Sequence, residues 1–334
     1  MALKPPVEVP QGAIRLNTDS QKLEFYAQDQ WWEMATDVPT LNGGARGIFA
    51  GGSGAYTNTI DYITISTLGD ATDFGDLNDT LYEGGATASI TRGIIHLSYT
   101  HPATSNMIDY VTMSTTGNAT DFGDSATAAR ITCLFSNGTR GVMAGMYTSP
   151  GAKTNQIEYV TIASQGTSKD FGDGTFTGNY AAANVASRTR GLRGGANNGG
   201  YSNIIEFITT ATTGNSQDFG DLSVVKHMPG GLSNATRGLF CGGQGSSYTN
   251  AIEYVEIATT GNTLDFGDLT TLRNNPGGAS SPVRGVTGGG WTAPGSVDYM
   301  EYITISTAGN AIDFGNLTRS SSNVAGFSNA HGGL

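Results

Sequence analysis

Residues 73–76 read Asp-Phe-Gly-Asp, letters that in a phosphotransferase loop place a carboxylate on the magnesium of a bound nucleotide. The same letters return at Asp121, Asp170, Asp218 and Asp265, with Asp-Phe-Gly-Asn at Asp313, every 47–49 residues. A catalytic loop is needed once, and the glycine-rich loop, strand lysine and catalytic Asp–Asn pair that accompany it are missing. Phosphoryl transfer is therefore not supported. A calcium site built on the paired aspartates would still need several more oxygens. His96, His101, His227 and His331 fall at unrelated phases of the repeat, with no metal-ligand spacing and no carboxylate–His–Ser arrangement. A retaining glycosidase needs only two carboxylates, but no acid stands out from the repeat as irregular. Cys133 and Cys241 occupy non-equivalent positions and read as two small buried hydrophobes, not a disulfide. The expectation is a protein that is not an enzyme and uses no cofactor and no metal.

The elements that would position these residues follow from the repeat. A segment that returns six times is architecture. Of 334 residues 49 are Gly and only 13% are charged, a composition of short strands joined by turns. The net charge of −11 comes without clustered Lys and Arg, which argues against nucleic acid and against anionic membranes. No apolar signal region opens the chain and no apolar run approaches a membrane span, so no membrane insertion and no cleaved export signal are expected.

One copy of the unit, 230–270, holds four strand-like pieces: GLSNA, RGLFCGG, NAIEYVEIA and TLDFGDL. The third recurs as NTIDYITIS, NMIDYVTMS, NQIEYVTIA, NIIEFITTA and DYMEYITIS. Ile60, Tyr62 and Thr64 share one of its faces and Asp61, Ile63 and Ile65 the other, so both faces of the sheet must be covered. Six four-stranded units at this period predict an all-β, six-bladed β-propeller. The unit resembles the kelch repeat, with a diglycine ending the second strand (Gly51–Gly52, Gly194–Gly195, Gly242–Gly243, Gly288–Gly289) and aromatics in the third and fourth. The second copy departs from it with IIHLSY at 94–99, the third keeps only Gly145, and the usual fourth-strand Trp is Phe74, Phe122, Phe171, Phe219, Phe266 and Phe314. The resemblance implies a fold and little about activity. The chain enters at a second strand, ARGIFAGG, and leaves on a first-strand copy, AGFSNAHGG at 325–333, so the C-terminal strand should complete the first blade. The expected organisation is a small hairpin segment over 1–40 and a propeller over 41–334. The repeated Phe should pack against the next blade, with the flanking aspartates capping turns or strand ends.

An Arg-Gly pair returns at Arg46, Arg92, Arg140, Arg190, Arg237 and Arg284, and each third strand carries one acid: Asp61, Asp109, Glu158, Glu206, Glu253 or Glu301. A buried acid needs a partner, so each Arg is expected to pair with a third-strand or Asp-Phe-Gly-Asp carboxylate, forming a structural ring. The Arg-Gly and Thr-Gly-Asn turns share one face of the disc and hardly vary. The second-to-third and fourth-to-first connections share the other and do vary, which marks that face as the binding surface. Each second-to-third loop has one aromatic beside small polar residues: Tyr56, Tyr99, Tyr147, Tyr201, Tyr248 and Trp291. Rings in such company suit sugar or protein recognition.

The segment Gly12–Met34 lies outside the repeat and reads as strand AIRLNT, an Asp19-Ser20 turn, KLEFYA, a second turn and QWWEM. Gly12, Ile14, Arg15, Asn17, Glu24, Tyr26 and Trp31 match a short segment of tailed-bacteriophage virion proteins, and the repeat phrase resembles those of cyanophage virion structural proteins. The resemblance implies a virion component, assembled in the host cytoplasm. Such a hairpin is too small to fold alone, so Ile14, Tyr26, Trp31 and Trp32 are expected to anchor it on other virion proteins or symmetry mates in a homo-oligomer. The expected function is a tail fibre or appendage whose loop face binds a host-surface glycan or protein receptor. The alternative is a capsid decoration or a baseplate or tail platform without receptor binding.

Overall fold

Strands and turns account for every element, as the wealth of β-branched residues and glycine requires. The computed structural model describes residues 9–17, 22–33, 46–54, 56–100, 103–148, 152–177, 183–197 and 199–329, and no helix occurs among them. The chain divides into two compact units, residues 1–41 and 42–334.

The first unit is a three-stranded antiparallel sheet of Ile14–Asn17, Lys22–Ala27 and Gln30–Glu33. The expected Asp19-Ser20 turn lies outside the described residues. The second turn is Gln28-Asp29, with φ of 53° and 59°, the two-residue geometry that matches strand twist. The pairings Ile14 with Phe25, Leu16 with Leu23 and Phe25 with Trp32 set these five side chains on one face. Arg15, Glu24, Tyr26 and Trp31 stand on the other.

The second unit contains six four-stranded antiparallel sheets. Their first strands are Ala325–Ser328, Glu83–Ala88, Ala129–Ser136, Ala183–Ala186, Gly230–Ser233 and Gly277–Ser280. The second strands begin at Arg46, Arg92, Arg140, Arg190, Arg237 and Arg284. The third carry an Ile-acid-aromatic phrase, Met300-Glu301-Tyr302 in sheet 6, and the fourth the Asp-Phe-Gly segment. Sheet 1 is completed from the far end of the chain: Ala325 pairs with Ala50 and Ser328 with Gly47.

The core lies between sheets. Six apolar clusters each join two consecutive sheets, and the last joins sheet 6 to sheet 1. Phe74 and Leu77, for example, meet Val111 and Met113, while Phe314 and Leu317 meet Ile63 and Ile65. The first strands touch one another in the same cyclic order. At Gly231, Gly278 and Gly326 a Cβ would strike the neighbouring backbone of Asn184, Gly231 and Gly278, which is why glycine sits there. Serines bridge the same strands: Ala186, Ser233 and Ser280 donate backbone N–H groups to Ser233, Ser280 and Ser328 Oγ at 3.1–3.2 Å.

Two details depart from expectation. The left-handed glycine pair of sheet 6 is Gly289–Gly290, one residue later than the sequence match, and in sheet 4 only Gly195 is left-handed. Each Asp-Phe-Gly also forms a β-bulge: Asp61 faces Asp73 and Ile60 faces Gly75, leaving Phe74 as the extra residue. The same shift occurs in all six sheets. The bulge turns each Phe into the core, edge-on to the third-strand ring at 5.8–6.3 Å. It also opens the glycine toward the next sheet.

Candidate functional site

The repeated polar residues join neighbouring sheets. Gly117 N–H donates to Phe74 O at 2.8 Å and Ala119 N–H to Asp76 O at 2.8 Å, and the equivalent pair recurs at every sheet boundary. A Cβ on Gly75 would sit 2.5 Å from Gly117 O. The motif that resembled a nucleotide loop is thus a backbone clasp.

The arginine ring also spans boundaries, but its partners differ from those expected. Arg46 donates to Met113 O at 2.9 Å, Arg92 to Ile162 O at 3.0 Å and Arg284 to Ile65 O at 3.0 Å. Arg140, Arg190 and Arg237 reach Ala211 O, Ala258 O and Ser306 O at 2.8–3.0 Å. Each guanidinium stacks 4.3–4.7 Å from its own third-strand ring. Only Arg237, among the described pairs, adds a carboxylate, Glu256 at 2.9 Å, which is not the repeated acid. The acids lie elsewhere because a buried carboxylate is satisfied by local N–H and O–H donors. Each caps the fourth strand of the preceding sheet, accepting from the backbone of Thr318, Asn78, Ala126, Thr175, Ser223 or Thr270 at 2.8–3.3 Å.

Cations outside the repeated positions support four of these acids: Arg319 on Asp61, Arg193 on Glu206, Lys226 on Glu253 and Arg273 on Glu301. Burial raises the Asp109 carboxyl above its ordinary range against the two Asn78 bonds. In Glu253, Lys226 at 2.6 Å and the bonds from Ser223 and Thr263 overcome the opposing effect of burial and hold the carboxyl low. His96 lies buried between Ser98 Oγ at 2.7 Å and Ser125 Oγ at 2.8 Å, and burial pulls it down to about 3. Both cysteines are buried and free, their thiols pushed up to about 12 by burial. Among the described residues no three His, Cys, Asp or Glu converge where they could hold a metal.

The variable connections line a pocket of about 390 Å³. It lies where the connections leading into the first strands of sheets 1, 2, 5 and 6 meet the loops of Tyr56 and Trp291. Tyr56, Tyr82, Trp291 and Met228 give apolar walls, and Ser53, Ser296, Ser322, Asn274, Asn275, Asn323 and Glu83 the polar ones. Tyr56 at φ 45°, Met228 at 57°, Asn275 at 58° and Asn323 at 57° are the only described non-glycine residues of this unit at left-handed φ, and all four line the pocket. Asn275 N–H donates to Met228 O at 2.7 Å and Asn323 N–H to Asn275 O at 3.2 Å, which ties the three connections together. Asn274 is 5% exposed; its Nδ2 donates to Gln244 Oε1 at 3.1 Å while its Oδ1 has no partner. Its backbone exchanges two hydrogen bonds with Trp291 at 2.8 and 3.1 Å, holding that ring 40% exposed.

An aromatic row leads away from the pocket. Tyr56 stacks on Tyr82 at 5.3 Å, Tyr82 meets Tyr99 edge-on at 5.7 Å, and Arg130 lies 4.0 Å over Tyr99 and 5.8 Å from Tyr147. Arg130 also pairs with Glu83 at 3.3 Å. Burial lifts the Glu83 carboxyl, with Arg130 opposing, and burial and the Glu83 charge lift the Tyr82 hydroxyl.

Of the six loop aromatics, then, Tyr56 and Trp291 enter the pocket and Tyr99 and Tyr147 continue the row. Tyr201 instead stacks on His227 at 4.2 Å, and Tyr248 is half-buried beside its bridge partner Gln244. Sequence reasoning missed Tyr82, Glu83, Met228, Asn274, Asn275 and Asn323. All but Glu83, which opens its strand, lie in fourth-to-first connections; the available signal was the shared phase of MPGG, NPGG and NVAG, with Met228, Asn275 and Asn323 each two residues before a first strand.

The anchoring residues divide between two faces. Ile14 and Trp32 are 64% and 43% exposed on the apolar face with Leu16, Leu23 and Phe25. Tyr26 and Trp31 pack together at 5.3 Å on the opposite face, with Arg15 over Trp31 at 4.1 Å. There Glu24 accepts from Asn17 and Arg15 at 2.8 Å, and these bonds lower its carboxyl below the usual range. No protein-family model matches the chain, and no curated protein matches it in sequence.

Proposed function

We propose that residues 42–334 form a six-bladed, kelch-like β-propeller, and that the protein is a non-enzymatic phage virion component whose loop face binds a host-surface glycan. Six four-stranded sheets, six cores shared in cyclic order and a C-terminal strand paired into sheet 1 support the propeller. The pocket carries the functional reading. Its strained backbone, three aromatic walls and ring of amides and hydroxyls are the chemistry that sugar faces and edges require. The repeated third-strand carboxylates, by contrast, are consumed in capping strands.

The open apolar face of the N-terminal sheet supports attachment of the protein to a larger particle, since five large apolar side chains there lack cover within their own unit. It serves equally the alternative of a capsid or baseplate platform. Binding of the full chain to purified host cell-surface polysaccharide separates the two. A tail adhesin binds and loses binding on Trp291→Ala; failure of the wild-type chain to bind any host surface preparation removes the adhesin reading.

A further inference from the structure

The sheet of residues 14–33 is amphipathic, and its apolar face is open. Ile14, Phe25 and Trp32 make one row across the three strands, and Leu16 and Leu23 make the next. Their exposures run from 37% to 64%. Alternation adds Ala27 and Gln30 to this face and no charged residue. The opposite face is already engaged with itself: Arg15 lies 2.7 Å from Glu24 and stacks over Trp31, Asn17 donates to Glu24, and Tyr26 packs on Trp31. Three strands of four to six residues do not hold together in water without a packed face.

We infer that this face pairs with the same face of a second copy, so that the protein is a dimer joined through residues 14–32. At roughly 150–250 Å² for a large side chain, the five exposures amount to roughly 500 Å² per copy and about 1,000 Å² for two. That area meets the lower bound of about 1,000 Å² for a specific interface. Two such sheets stack face to face with their apolar residues inward and their charged faces outward, the arrangement of a sandwich core. With no charge on the face, identical copies do not repel, and a twofold contact closes without propagating. Addition at the edges is a poorer solution, because both edge strands have only four residues. The face also needs cover from synthesis onward, and another copy is the one surface of matching extent and polarity present wherever the chain is made. The larger particle to which the protein attaches then begins with a second copy, and each dimer carries two copies of the 42–334 unit.

The test is analytical ultracentrifugation of the full chain between about 1 and 100 μM, where an interface of this size should dissociate. The wild type should pass from monomer to dimer across that range. Leu16→Lys sets a charge into each of the two facing sheets and should raise the dissociation constant at least ~100-fold, leaving a monomer throughout. Leu264→Lys, at an equally exposed leucine of the second unit, should leave the dimer intact. Circular dichroism checks that both variants remain folded. A wild type that is monomeric at every concentration overturns the inference and leaves the face to another virion protein. A dimer that survives Leu16→Lys overturns it by placing the contact elsewhere, and a trimer or larger assembly overturns the face-to-face pair. None of these outcomes decides glycan binding, which is read separately from Trp291→Ala.

Discussion

Replacing Gly220 by Ala tests whether the Asp-Phe-Gly segment acts through its backbone. The glycine sits at φ 147°, and an added Cβ would lie 2.4 Å from Gly261 O. The turn of sheet 5 must then withdraw by roughly 1 Å to restore ordinary contact. Withdrawal breaks the Gly261 N–H bond to Phe219 O at 2.8 Å and loosens that from Thr263 to Asp221 O at 2.9 Å. Backbone strain at such a φ costs about 1–3 kcal/mol and each lost hydrogen bond about 1 kcal/mol. The sum is about 2–5 kcal/mol, which at roughly 2–4 °C per kcal/mol predicts a melting temperature lower by about 4–20 °C. Gly295→Ala is the control, since nothing lies within 4 Å of a Cβ there; it should melt with the wild type. Asp218→Ala should change stability by less than about 0.5 kcal/mol, because that side chain is exposed. The assay is thermal unfolding followed by circular dichroism. A Gly220→Ala protein that melts within about 2 °C of wild type would refute the clasp.

Three further outcomes are expected. Arg237→Met keeps the stem over Tyr254 but loses the bonds to Ser306 O and Glu256, so the melting temperature should fall by a few degrees, consistent with about 1–2 kcal/mol. Lys226→Met leaves Glu253 buried without its cation and should cost about 3–5 kcal/mol in urea unfolding, with Lys226→Met/Glu253→Gln recovering part of it. His96 stays neutral in the folded protein down to about 3, whereas the unfolded chain takes up a proton below about 6.5. Its stabilising contribution is therefore full above pH ~6.5 and declines by about 1.4 kcal/mol per pH unit as pH falls toward 3. His96→Gln should flatten the slope of stability between pH 6.5 and 5; an unchanged slope would show that other groups carry it.

The sequence alone determined what is written into the backbone locally and repeatedly. Alternation in NAIEYVEIA required strands covered on both faces, and the period of Asp-Phe-Gly-Asp set six units. The first-strand letters of AGFSNA foretold the pairing of Ala325–Ser328 with Arg46–Ala50. Local patterns suffice there because strand period and turn chemistry are short-range properties. Tertiary structure decided who partners whom. Arg46 and its equivalents looked complementary to the repeated acids, yet they reach carbonyls of the next sheet, while the acids cap the strand before them. Opposite charge in a sequence specifies attraction but not reach, and reach depends on how neighbouring sheets are offset. The pocket was the least legible feature. Tyr56, Tyr82, Met228, Asn274, Asn323 and Trp291 are far apart in the chain and fall at several phases of the repeat, Met228 with Asn323 and Tyr82 with Asn274. They meet only because connections and loops of four sheets converge, a convergence that no single copy of the repeat records.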